Sequence, residues 1–339
     1  MGIFAHSSRL PRLAAAVVLA TALAACGTAD AGSGTDSNTV VVKLTDPGNY
    51  GPLAYAKKNG SFDAPLAKLG AKVEWGGSYV SFTATTDAIH SGAVNFAEGA
   101  FSPALGYLAT SDDIRVVAVK DVVTDSRAGA GDGLVVRPDS PIKTIQDLRG
   151  KRVAVNKAGR GEYLLLLALK EAGIPASEVQ RVYLQQDQAA SAFASGQVDA
   201  WVAIVRAFPQ ALAKGARVIF RGRDLPSDDL NMFVARTDLL DKNPEVVRTL
   251  IDVLSQLDEQ EKVEPEKFQN VFAAEGPTAA TGLQLENNIA VARYDNVLRF
   301  PKPEDEARLN GVSKVFVDNK VLEKASDPKK VFYTWGERK

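Results

Sequence analysis

Asn156-Lys157-Ala158-Gly159-Arg160-Gly161 is the stretch of this 339-residue chain best suited to gripping an anion. Gly159 and Gly161 let backbone N–H groups approach a ligand closely, and a helix starting there turns its positive end the same way. Lys157 and Arg160 add formal charge, so a sulfonate, phosphate or carboxylate head fits the loop. It is no nucleotide loop: Gly-Lys-Ser/Thr is absent, and Gly159-x-Gly161 lacks the third glycine of a dinucleotide fingerprint. Arg206, just past the apolar run Trp201 to Val205, offers a second guanidinium whose planar fork can take two oxygens of one oxyanion. Two further loops complete the candidate set, Asp46 with Gly48, Asn49 and Tyr50, and Glu98 with Gly99 and Ala100. Asp46 and Glu98 suit a helix cap, a ligand hydroxyl or amine, or the steadying of an arginine. Tyr50, Tyr79, Phe82, Phe101 and Trp201 either wall an apolar part of the ligand or pack in the core.

Catalytic constellations find little support. His6 and His90 are the only histidines and Cys26 the only cysteine, so there is no Cys/His metal spacing, no Ser-His-Asp set and no Gly-x-Ser-x-Gly elbow. No metal or other cofactor is expected, and binding is favoured over catalysis. An enzyme working through carboxylates stays open, because Asp and Glu pair in space rather than in sequence.

Cys26 has a different part. It follows Leu23-Ala24-Ala25 at the end of an apolar run from Leu13, with Arg9 and Arg12 upstream and no acidic residue. The run is shorter than the roughly 20 apolar residues that span a bilayer, so residues 1–25 read as a signal peptide. Leu-Ala-Ala-Cys resembles the lipobox of bacterial lipoproteins, which implies lipidation of Cys26 and anchoring outside the cytoplasm, on the cell membrane. Residues 26–39, rich in Gly, Ser, Thr and Ala, form a flexible tether. Removing residues 1–25 takes away two arginines and no acid, moving the formal net charge from -1 to -3. That is no footprint for nucleic acid. Without cysteine pairs, the fold relies on its core alone.

The elements that must hold these loops come in two matching sets. Strand Val40 to Leu44, helix Gly51 to Asn59, strand Lys72 to Trp75, helix Thr85 to Ser91 and strand Val94 to Ala97 form the first. Strand Arg152 to Val155, helix Glu162 to Ala172, strand Arg181 to Leu184, helix Gln188 to Ser195 and strand Val198 to Ala203 repeat that order. Even Ser91-Gly92-Ala93-Val94-Asn95 returns as Ser195-Gly196-Gln197-Val198-Asp199. The pattern predicts an α/β protein of two Rossmann-like lobes, each with a mostly parallel sheet and helices on both faces. Residues 40–137 with 231–339 form lobe I, residues 138–230 form lobe II, and Gly133 to Arg137 and Asn231 to Arg236 cross between them as hinges. From Pro244, the apolar face of Val246, Val247, Leu250, Ile251, Leu254 and Leu257 predicts a long helix, with others over Thr281 to Asn296 and Pro303 to Asp318. In such sheets ligands lie at the carboxyl ends of the strands, where all four candidate loops fall.

Ser140-Pro141-Ile142-Lys143, Asp147-Leu148-Arg149-Gly150-Lys151-Arg152-Val153-Ala154 and Val198-Asp199-Ala200-Trp201-Val202 carry a resemblance. So do Asn156-Lys157 leading to Tyr163-Leu164-Leu165, Val182-Tyr183-Leu184 and, more loosely, Gly92 to Gly99. They resemble the substrate-binding proteins of ABC importers for sulfonates, nitrate and taurine, and most of all the aliphatic-sulfonate branch. The resemblance implies a type 2 periplasmic binding fold closing on a small organic anion, a permease and an ATPase as partners, and a monomer. Gly159-Arg160 stands where that branch tends to have Ser-Asn. Ile204-Val205-Arg206 stands where it often has Trp-Asp-Pro. The loss of that Asp and the gain of two arginines favour an amine-free sulfonate or a sulfate ester over taurine. A nitrate or other anion receptor, or an enzyme on the same fold such as a pyrimidine-precursor synthase or a lyase, is the alternative.

Overall fold

The computed structural model describes residues 39–79 and 82–336, so the expected signal peptide, Cys26 and almost all of the expected tether lie outside the described residues. The first half runs β1 (Val40–Leu44), α1 (Gly51–Asn59), α2 (Asp63–Ala67), β2 (Ala71–Trp75), α3 (Phe82–His90), β3 (Phe96–Ala100), α4 (Phe101–Leu108) and β4 (Ile114–Lys120). The middle runs β5 (Asp132–Val136), β6 (Arg152–Val155), α5 (Arg160–Glu171), β7 (Gln180–Tyr183), α6 (Gln186–Ala194), β8 (Ala200–Ile204), α7 (Ala207–Ala213), β9 (Arg217–Arg221) and β10 (Asn231–Arg236). Helices α8 (Thr237–Lys242), α9 (Pro244–Val263), α10 (Gly282–Tyr294), α11 (Pro303–Asp318) and α12 (Pro328–Val331) follow.

The duplication is a physical one. In the second lobe the strands lie in the order β7-β6-β8-β5-β9. In the first, β1 pairs with β2 and β10 lies between β3 and β4. Asn95 joins those two pieces. Its backbone N–H donates to Lys43 O, its Oδ1 accepts from Lys43 N at 2.7 Å, and its Nδ2 donates to Val41 O. Each lobe therefore reads second, first, third, crossing, fourth strand. The repeated junctions match as well. Gly92 and Gly196 both take left-handed backbone (φ 74° and 76°) where the turn from helix into each lobe's third strand needs it.

Two expectations need correcting. The sheets are mixed, because β5 and β10 run antiparallel to their neighbours. And β5, assigned to lobe I by the sequence division at residue 137, pairs with β8 and β9 in the second sheet. The crossing segment is therefore part of the sheet it enters, as β10 is part of the first. Helix α9 buries the predicted face, with Val247, Leu250, Ile251 and Leu254 nearly inaccessible against β1, α1 and β10 residues. Each such side chain contributes about 1.5–3 kcal/mol of transfer free energy, which is why a helix bearing so many surface charges still docks. Helix α11 packs on both α4 and α5, with Phe316 edge-on to Tyr163, and so ties the lobes together instead of covering the first alone.

Candidate ligand-binding cleft

Residues at the carboxyl ends of β1, β3 and β4 from one lobe and of β8 from the other act on one another, as an open α/β sheet requires. The loop after β6 forms as predicted, with Gly159 at the start of α5, but the Ala158 and Gly161 N–H groups and the Arg160 charge are already answered. Asn156 Oδ1 accepts from Gly161 N at 3.2 Å, and Glu162 Oε2 accepts from Ala158 N at 2.6 Å. A Cβ at Gly159 or Gly161 would strike the Asn156 side chain, so the glycines make room for that asparagine. Arg160 donates from Nε to Asp132, and from NH1 to Asp229 O and Oδ2 at 3.2 and 3.1 Å. Asp229 in turn accepts from Ser102 N and Oγ at 2.8 and 2.6 Å. Burial opposes the Arg160 charge, but Asp132 and Asp229 overrule it and hold the guanidinium charged. Lys157 reaches away, its Nζ 5.9 Å from the Tyr183 ring. The expected anion cradle is thus a hinge network, in which Arg160 of the second lobe and Ser102 of the first meet on Asp229.

The loops of the first lobe divide in the same way. Asp46 accepts from Gly48 N at 3.1 Å and pairs with Lys57, shaping an exposed turn in which Gly48 has φ 73°. Asn49 is a clip: it donates to Ala273 O and Thr278 O, and accepts from Phe272 N and Ala273 N. Gly99 admits the Phe82 ring, which a Cβ there would meet at 2.5 Å, and Ala100 is buried at the end of β3. Trp201 packs against Phe193 in the second-lobe core and is 2% exposed, so it walls no cleft. Phe101 is likewise core. His90 is a surface residue, its Nδ1 3.4 Å from Asp113 Oδ2.

Three predicted residues do face one space. Tyr50 and Glu98 are surrounded by protein yet keep water-accessible side chains, a combination found only on the wall of a cleft. Arg206 lies across from Tyr50 and pulls against the rise in the tyrosine's pKa that burial imposes. The Arg206 side chain makes no hydrogen bond or ion pair among the described residues, and it is exposed. Burial also raises the Glu98 carboxyl, with Lys120 opposing and Asp258 and Asp295 reinforcing.

Four residues of this wall escaped the sequence reading. Lys120 at the end of β4 pairs with Asp258 at 2.8 Å and Asp295 at 3.1 Å, and those carboxylates keep it charged against its burial. Glu261, 6% exposed, is pushed up to about 8 by burial, with Asp258, Asp295 and Glu98 adding to the rise and Lys120 opposing it. A signal was present. Asp258 and Glu261 stand four and seven residues beyond Leu254, so they continue the buried stripe of α9. Carboxylates on a core-facing stripe mark either a buried pair or a site.

The family model described as NMT1/THI5 like matches residues 78–259, more than half of the chain. The chain belongs to that family. Among relatives of this NMT1/THI5-like chain, a binding protein of Brucella abortus (strain 2308) is 25% identical over 248 residues, 71% of this chain and 75% of that one. A Bacillus subtilis (strain 168) protein named as an aliphatic sulfonates-binding protein is 29% identical over 232 residues, 67% of each. The crystal structure of the periplasmic aliphatic sulphonate binding protein of Escherichia coli matches with a TM-score of 0.74 at 21% identity, covering 89% of this chain and 94% of that one. That likeness establishes the two-lobed binding-protein fold.

Proposed function

We propose that this chain is the extracytoplasmic binding protein of an ABC importer, capturing a small organic anion, an aliphatic sulfonate by preference, between its lobes and delivering it to a membrane permease. The observation that carries this reading is Arg206, a guanidinium of the second lobe that is unpaired among the described residues and lies near Tyr50 of the first. A ligand touching both favours the closed arrangement, and the permease with its ATPase reopens it. The names of the Bacillus and Escherichia relatives support the sulfonate. The leader pattern of residues 9–26 supports export and a lipid on Cys26, with the protein acting as a tethered monomer. No covalent step is invoked, and the relatives' names as binding proteins favour that over an enzyme on the same fold. Calorimetric titration with alkanesulfonates, sulfate esters, taurine and nitrate tests the reading. Binding of an alkanesulfonate is expected, and no heat from any oxyanion overturns it. For the anchor, Cys26→Ser is expected to leave binding intact and lower cellular uptake.

A further inference from the structure

The wall of the first lobe sets a charge problem for a receptor of anions. Four carboxyl groups, Asp258 and Glu261 from α9, Glu98 from β3 and Asp295 from the turn after α10, act on one lysine, Lys120 from β4. Lys120 is spent on Asp258 and Asp295. The cations of α1, α10 and the turn of residues 265–268, all packed on α9, are spent elsewhere. Lys57 pairs with Asp46, Lys58 donates to Val271 O, Arg293 pairs with Glu266 and Lys267 with Glu264. Tyr50 feels Glu98 and Glu261 on one side and Arg206 on the other, so an anionic head held by Arg206 comes up against this acidic wall.

Glu261 is the odd member of the group. It is 6% exposed, and its carboxyl makes no hydrogen bond or ion pair among the described residues. Glu162, at the start of α5, shows how the same molecule treats a buried glutamate that serves the fold: Arg181 NH1, Tyr183 OH and Ala158 N all donate to it, at 2.8, 2.9 and 2.6 Å. A buried carboxyl without a donor costs stability, and packing alone would be better served by an apolar side chain. The Glu261 oxygens are not sealed in, so they open onto the space beside Glu98 and Tyr50. Ionised, Glu261 would repel an anion there; protonated, it has an O–H to give.

We propose that Glu261 meets the captured anion as a neutral carboxylic acid, its O–H donating to a ligand oxygen, so that anion and proton are held together and the receptor lets go as its surroundings turn alkaline. This concerns the regulation of the binding site and rests on the binding-protein reading. The fold supplies the neutral form: burial, Asp258, Asp295 and Glu98 push Glu261 up to about 8 against the opposing Lys120. A bound anion pushes in the same direction. Below about 8 the acid form is already present, and affinity stays level. Above it, capture must first restore the proton, so affinity falls by roughly tenfold per pH unit and binding takes protons from solution.

The test is calorimetry on the intact protein with hexanesulfonate and hexyl sulfate, whose own charge is constant from about pH 6.5 to about pH 9.5, repeated at the alkaline end in two buffers of different ionisation enthalpy. Affinity is expected to hold to about pH 8 and then fall roughly tenfold per unit, with proton uptake. Glu261→Gln keeps a donor but cannot titrate. It is expected to bind a few-fold more weakly than wild type at neutral pH, with a flat profile, and to overtake wild type by about pH 9.5. Glu261→Ala, with no donor, is expected to lose roughly tenfold at neutral pH. A level wild-type profile without proton uptake overturns the proposal and leaves the receptor reading in place, as does a Glu261→Gln profile that still falls. No heat from either probe at any pH overturns the sulfonate reading as well. The wild-type profile is decisive by itself, so a variant that fails to fold does not shelter the proposal.

Discussion

The two walls of the cleft use charge in opposite ways. On the second-lobe wall, the loop from Asn156 to Gly161 carries the sequence marks of an anion site, yet Asn156, Glu162, Asp132 and Asp229 have taken its donors. On the first-lobe wall, Glu98 and Glu261 carry no glycine-and-basic motif, yet stay without hydrogen-bond or ion-pair partners among the described residues. Glycines and basic residues in a loop record how closely something approaches the backbone. What approaches here is the protein's own asparagine. An unsatisfied group at depth is the better guide, because something from outside the fold must satisfy it.

The contrast breaks first at Arg160. Removing its side chain by Arg160→Ala leaves Asp229 buried beside Asp132 without its cation, and urea denaturation should show a loss of about 3–5 kcal/mol. A loss below about 1 kcal/mol would return Arg160 to the ligand. The first-lobe wall is sharpened by pH. Glu261 is protonated in the folded state up to about 8 but ionises near 4.5 when unfolded, so the native state binds the extra proton and stability falls as pH rises from about 4.5 to about 8. The slope approaches about 1.4 kcal/mol per pH unit for this one group, and Glu261→Gln should remove it. Asn156→Ala should cost about 1 kcal/mol in the same denaturation assay, for the lost acceptor at Gly161 N. Arg206→Ala should change stability by less than about 0.5 kcal/mol, while calorimetry shows affinity for the anionic head reduced roughly tenfold.

Regular elements were legible where the sequence has local causes. β6 and β10 lie on the expected residues, and α11 spans Pro303–Asp318 as its proline start predicts. The third strand was less so: the expected start at Val94 became Phe96, because Asn95 spends its side chain bridging to β1. Tyr50, Glu98 and Arg206 come near one another because the topology brings strand ends together. Trp201 packs in the core and Asn49 clips a loop, placements that composition could not give because it does not say which face of a strand or loop a side chain takes. The ion pairs of Arg160 were not legible because its partners lie 28 and 69 residues away. Lys120 and Glu261 were missed since each belongs to an element recognised by its apolar residues, and the polar ones at the same spacing passed as surface.

One feature of the fold bears on how the chain is made. Strands β3 and β4 do not touch as a ladder; the strand between them is Asn231–Arg236. The first sheet therefore cannot close while the nascent chain is shorter than that. The second sheet has all five of its strands by Arg221 and can finish earlier, although it begins later. A partly made chain can thus hold a completed second sheet while the first still waits for the strand that emerges at the start of its last third.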